Sequence, residues 1–291
     1  MHSQLCERLR AHVQTLAAVP RPPGTDAHRA AAAYIHKHLE QERFAVEETR
    51  FSVGALAGIN LVTRPVPDRP ELPLVIVGAH YDSIPFSPGA DDNASAVAAL
   101  LELARWIGPQ LPSGKTSARL QLVAYDLEEN GLLGSLVHSR AVQRAEINLR
   151  GMISLEMLGY ASQRRGSQRL PPHLAHVYPD VGNFIGVVGN EVSAELLRTV
   201  TEGMKSVAEL PVESLAVPGN GEVLPEARLS DHASFWDNGF PALMITDTSF
   251  FRNPHYHRES DTPETLDYDF LARVTQGVCA AVWRLLGGEE G

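Results

Sequence analysis

The chain has little of several things, and each scarcity removes a class of function. Among 291 residues there are two cysteines, Cys6 and Cys279, too few for a disulfide framework or a cysteine-rich zinc module. Positive charge is short. Lys and Arg number 25 against 35 Asp and Glu, and the net charge of -10 repels phosphate backbones and anionic lipid, so neither nucleic acid nor membrane is an expected partner. No apolar run approaches the ~20 residues that cross a bilayer, and Met1 to Arg10 hold no apolar stretch of the secretory type. A soluble, cytoplasmic chain is the expectation. Gly-x-Ser-x-Gly, a glycine-rich phosphate loop and His-Glu-x-x-His are all missing, which excludes three common catalytic signatures. Without a repeat of 20 to 50 residues or a stretch of linker composition, a single domain over 1–291 is expected.

What is present alternates. Residues 26–42 carry Ala and Ile at helical spacing behind Asp26, a candidate cap. The β-branched run 74–79 predicts a strand buried on both faces, as do 119–125, 152–155, 184–188 and 242–245. Helical spacing predicts helices over 94–106, 132–143, 192–207 and 264–286, with a short one near His232. Strands interleaved with helices predict an α/β fold of three layers, α/β/α, around a central mixed, mostly parallel sheet. In such sheets ligands bind beyond the carboxyl ends of the strands.

Polar side chains that are costly to bury cluster at those ends. The first strand runs into His80-Tyr81-Asp82, and Asp91-Asp92 stands just before a helix. The second runs into Asp126-Leu127-Glu128-Glu129, the third into Glu156, and a loop after the last carries His255-Tyr256-His257. Taken singly, each has an ordinary explanation as a cap or a solvated turn. Brought to one crevice, the carboxylates repel one another unless a dication compensates them. Imidazole and carboxylate without thiolate suit zinc in a hydrolytic site, with manganese or cobalt as substitutes.

Six stretches resemble the zinc exopeptidases with two co-catalytic metals, the group that contains bacterial leucyl-type aminopeptidases and is related to glutamate carboxypeptidase and glutaminyl cyclase. They are Ala79-His80-Tyr81-Asp82-Ser83, 88–95, 128–135, 153–157, Ser230-Asp231-His232 and 256–262, matching in order and spacing over about 74–265. The resemblance implies two zinc ions bridged by Asp92, one completed by Glu129 and His257 and the other by His80 and Glu156. It implies Glu128 as general base, Asp82 as the residue that orients His80, and Tyr256 as a donor to the substrate carbonyl oxygen. The implied activity is hydrolysis of an amino-terminal peptide bond, the substrate being a peptide with a free amino terminus. Glutaminyl-cyclase chemistry on one zinc, and a binding protein without chemistry, are the alternatives. Many members of the group have Asp where this chain has Glu156. Loops over 157–182 and 211–230 are expected to build the specificity pocket. Asp231 and His232 match a motif of the group without a role that the residues themselves disclose, His255 is expected not to ligate, and the oligomeric state is not legible.

Overall fold

A computed structural model describes residues 2–111, 116–172 and 174–288. In chain order the elements are α1 (His2–Leu16), α2 (Asp26–Gln41), β1 (Val46–Val53), β2 (Leu56–Thr63), β3 (Leu74–His80), α3 (Ala96–Ile107), β4 (Arg119–Tyr125), α4 (Leu133–Arg144) and β5 (Leu149–Glu156). They continue with β6 (Ile185–Asn190), α5 (Ala194–Lys205), β7 (Val212–Val217), α6 (His232–Trp236), β8 (Ala242–Thr246) and α7 (Tyr268–Leu285).

Every residue of β3, β4 and β8 is buried; their side chains are mostly apolar, and the polar Arg119 and Gln121 of β4 donate to the carbonyls of Leu72 and Thr63. The eight strands form one sheet in the order β1-β2-β4-β3-β5-β8-β6-β7. Its centre, β4-β3-β5-β8, is parallel. The β1–β2 hairpin and the β6–β8 pair are antiparallel, so the sheet is mixed. One face packs into a large core that includes Leu9, Ile35, Leu100, Val200 and Val278 from α1, α2, α3, α5 and α7. The other packs a smaller core of Val142, Phe235 and Trp236 from α4 and α6. This is the three-layer architecture that the alternation predicts.

Four elements escaped the sequence reading. Strand β1, Val-Glu-Glu-Thr-Arg-Phe-Ser-Val, has mostly exposed side chains because it is an edge strand, and its charges hide its apolar period. Its partner β2, the amphipathic α1 and the short edge strand β7 were also unread. The cap of α2 is Thr25, whose side chain accepts the His28 N–H, while Asp26 sits in the first turn. That corrects the assignment of Asp26 as cap. Among the described residues no helix is long and apolar enough to cross a membrane.

Parallel packing of β3, β4 and β5 puts their carboxyl ends at one edge. Ala79 pairs with Ala124, His80 with Tyr125 and Gly78 with Ser154, so His80, the 126–129 loop and Glu156 emerge side by side.

Candidate metal centre

Two groups of three side chains meet at that edge and share one member. His80, Asp92 and Glu156 have ligating atoms within 4.8 Å of one another, and so do Asp92, Glu129 and His257. His80 Nε2 lies 3.3 Å from Asp92 Oδ1 and 3.6 Å from Glu156 Oε2. His257 Nε2 lies 3.1 Å from Asp92 Oδ2 and 3.1 Å from Glu129 Oε2. Asp92 thus turns one oxygen to each histidine, the arrangement of a carboxylate shared by two cations. Glu156 reaches the site and accepts the Ser230 hydroxyl at 2.8 Å, so its extra methylene does not remove it from the cluster. Glu128 belongs to neither triad, yet its Oε2 stands 3.9 Å from His80 Nε2.

The supporting contacts explain how these side chains are held. Asp82 lies 3.5 Å from His80 Nδ1, and its two oxygens accept the backbone N–H groups of Glu128 and Glu129, each at 3.2 Å. One carboxylate therefore sets both the imidazole and the loop that carries two acids. It stands behind the site and is absent from the lining of the cleft described below. Asp92 leaves the irregular turn 90–95 that precedes α3, where Asp261 accepts the N–H groups of Asp91 and Asp92 at 3.0 and 3.2 Å. Gly89 starts that turn with φ +63°, and a Cβ there would meet the Asp92 carbonyl oxygen at 2.1 Å, so only glycine fits. Arg21 is buried and donates to the carbonyls of Tyr81 and Gly89 at 2.7 and 2.9 Å, joining the two ligand-bearing segments.

The electrostatics are those of a site awaiting positive charge. Burial, reinforced by Glu156 and Asp231, pushes Glu128 well above the ordinary carboxylate range despite the opposing pull of His80. Burial likewise raises Glu156 and Glu129. Burial alone would lower His80, but Glu128 and Glu156 outweigh it and raise the imidazole well above its usual value. The same contest, won by Asp92 and Glu129, pushes His257 up to about 10. Asp92 moves the other way: burial opposes its charge, yet hydrogen bonds from His257 and His80 hold it below the usual range. Protons on the two imidazoles play the part that a dication would take. Glu129 Oε1 is buried without a hydrogen-bond partner, and an orphaned carboxylate oxygen in a set of N and O donors fits divalent metal.

A cleft of about 990 Å³ opens from the triads. Its floor follows one row of the sheet, Glu156, Thr246, Gly186 and Glu213, in which the small side chains of the middle pair leave room. Leu170, Leu174 and Tyr178 from the 157–182 region line it. From 211–230 it takes Glu213, Ser214 and Leu215, which lie on β7, so part of that expected loop is a strand. Among the described residues the lining contains neither Lys nor Arg. Tyr256 reaches the cleft with its ring stacked on His257 at 3.8 Å between centroids. Burial and the surrounding Asp92 and Glu156 raise its phenol, which therefore stays a donor. His255 turns to Ser260 at 2.9 Å and joins neither triad. Both Asp231 oxygens are buried without a partner, and burial pushes that carboxyl up to about 7. His232 Nε2 donates to the Ala227 carbonyl, 2.8 Å away, and so ties down the turn before α6.

The model of peptidase family M28 matches residues 60–282, which contain both triads and Glu128. The chain belongs to peptidase family M28. The uncharacterized protein YfbL of Escherichia coli is 42% identical over 225 residues, 72% of this chain and 67% of that protein. Leucine aminopeptidase 1 of Arthroderma otae is 28% identical over 222 residues, 73% of this chain and 54% of that protein, so this chain spans about half the fungal relative. Among solved structures, the zinc aminopeptidase BSAP of Bacillus subtilis has a TM-score of 0.75 at 16% identity, covering 96% of this chain and 95% of that one. A glutaminyl cyclase of Porphyromonas gingivalis has a TM-score of 0.72 at 21% identity, covering 96% and 98%. Both likenesses speak for the fold alone.

Several residues that shape this M28 site went unread in the sequence. Asp91, Asn93 and Asp261 lay inside matched stretches but were given no role, and Arg21, Asn253 and Asp247 have no local signature. Asn93 donates to the Leu155 carbonyl and accepts the Met157 N–H, tying the turn of Asp92 to the end of β5. Asn253 donates to Asp91, whose other oxygen accepts the Gly159 N–H.

Proposed function

We propose that this M28 protein is a zinc aminopeptidase that works with two metal ions and Glu128 as general base. The observation that carries the reading is the pair of triads sharing Asp92 at the end of a cleft without Lys or Arg. His80 and Glu156 would hold one ion, Glu129 and His257 the other, and Asp92 both. When bound, the two ions supply Lewis acidity, polarising the scissile carbonyl and lowering the pKa of water. Glu128, outside both triads, is the carboxylate left to accept a proton from the attacking water and return it to the leaving amine. Burial makes it a stronger base than an ordinary carboxylate. Tyr256 donates its phenol proton toward the developing oxyanion. Asp82 touches no substrate; it positions His80 and the Glu128-Glu129 backbone.

A carboxy-terminal substrate group needs a fixed Lys or Arg to meet it, and among the described residues the cleft lining has neither; Glu213 and Glu226, outside both triads, also line it and suit a free α-ammonium. That favours an aminopeptidase over a carboxypeptidase. The names of the fungal and bacterial relatives agree. A one-zinc cyclase would leave one triad without purpose. One continuous sheet supports reading the described residues as a single catalytic domain. Glu128→Gln, assayed on aminoacyl-anilides beside amino-blocked analogues, is expected to keep two metal equivalents and lose about 10²–10⁴-fold in kcat. Full turnover in that variant, one metal per chain in the parent, or equal cleavage of blocked substrates would overturn the reading.

A further inference from the structure

A second set of ligating side chains lies away from the centre just described. His2 and Cys6 stand one helical turn apart on α1 and so share a face. Asp269, from the first turn of α7, meets them there. One donor atom from each of the three lies within 4.8 Å of the others. His2 Nε2 is 2.7 Å from Asp269 Oδ1, while Asp269 Oδ2 is taken by Arg273 at 2.8 Å. The carboxylate is thereby oriented with one oxygen toward the His2 and Cys6 face. We propose that His2, Cys6 and Asp269 form a further, structural metal site that takes a zinc ion and ties the start of α1 to the start of α7.

The donor set is one imidazole nitrogen, one thiolate and one carboxylate oxygen, with water in the fourth place of a tetrahedron. Bonds of about 2.0–2.3 Å place tetrahedral donors roughly 3.3–3.8 Å apart, so the His2–Asp269 pair opens from 2.7 Å to admit the ion while the set, now within 4.8 Å, closes by up to about an ångström. His2 and Asp269 are partly exposed and free to make that adjustment. Burial and the neighbouring Asp269 raise the Cys6 thiol, a balance that a dication reverses because a coordinating thiol is deprotonated. The position gives the ion something to do. Helix α1 packs on α7 and on the turn 90–95 that carries Asp92, and the α7 cap Asp267 follows closely on the loop of His257. A pin between the two helix starts braces both ligand-bearing segments from outside.

Sulfur makes the test specific. The catalytic triads contain no cysteine, and Cys279 is buried in the core, so a thiolate-to-cobalt charge-transfer band in the near ultraviolet reports Cys6 alone. Tag-free, metal-stripped protein is titrated with Co²⁺, and zinc content is measured after equilibration at micromolar free Zn²⁺. The parent is expected to show the band and to hold one more zinc equivalent than Cys6→Ser, which lacks the band. Asp269→Asn keeps the thiol and is expected to need at least ten-fold more Co²⁺ for the same band. Absence of the band in the parent, its survival in Cys6→Ser, or equal zinc contents overturns the proposal. Aminoacyl-anilide hydrolysis is expected to persist in both variants, so failure of this site and failure of the aminopeptidase reading are read separately.

Discussion

The two halves of the catalytic cluster are built differently. His80 and Glu156 sit at the ends of β3 and β5, in the centre of the sheet, and their side chains are 1% and 8% exposed. Glu129 and His257 come from loops, and His257 is 35% exposed. The inner pair inherits the rigidity of a parallel sheet; in the outer pair the backbone of Glu129 depends on a side chain, Asp82, to hold it. An ion in the inner half should exchange slowly and one in the outer half quickly, although both halves use one imidazole, one glutamate and the same aspartate.

Asp92 belongs to both halves, so its removal should erase the difference. Asp92→Asn is expected to lose both ions together and to take hydrolysis below detection, checked by metal analysis and the anilide assay. Retention of one tightly held ion would mean that the halves do not share the residue. The next largest effect separates them. His80→Ala leaves buried carboxylates without their partner and is expected to cost about 3–5 kcal/mol in urea unfolding of metal-free protein. His257→Ala, at the rim, should cost under about 1 kcal/mol while releasing only the outer ion on brief exposure to a chelator. Equal losses of stability would break the comparison.

A smaller effect tests the loop support. Asp261→Asn weakens the acceptor for the N–H groups of Asp91 and Asp92, and a 10–100-fold loss of metal affinity is expected with kcat recovered at saturating zinc. The last concerns a histidine in neither half. His138 is half-buried against Tyr125, and desolvation lowers its pKa to about 4. Folded protein keeps it neutral while the unfolded chain takes a proton below about 6.5, so stability is lost as pH falls from about 6.5 to 4. The loss is roughly 3 kcal/mol, and His138→Gln should flatten that part of the profile in metal-free protein.

The parallel centre was legible because its strands carry short, largely apolar runs, and His80, Glu129 and Glu156 because each ends or closely follows one, whereas Asp92 and His257 lie a loop further on. The edges were not. Strand β1 is polar on most of its surface, and β7 reads as a loop because half its residues meet solvent or the cleft. Asp82 was readable as a partner of His80 from its spacing, but its grip on the Glu128 and Glu129 N–H groups spans 46 and 47 residues and leaves no local trace. Arg21 is a starker case: a charged side chain before a helix reads as solvated, whereas its guanidinium fills a buried ring of carbonyl acceptors more than 60 residues away in sequence.

The order of residues alone determined the layer architecture, the identity of the five candidate ligands and the absence of sulfur among them, because periodicity and short motifs are properties of neighbouring residues. Folding decided which oxygen of Asp92 faces which histidine, that Glu128 remains outside both triads, that among the described residues neither Lys nor Arg lines the cleft, and that Cys6 meets Asp269. Those are distances between segments far apart along the chain, set by sheet register and helix packing, and no local pattern encodes them.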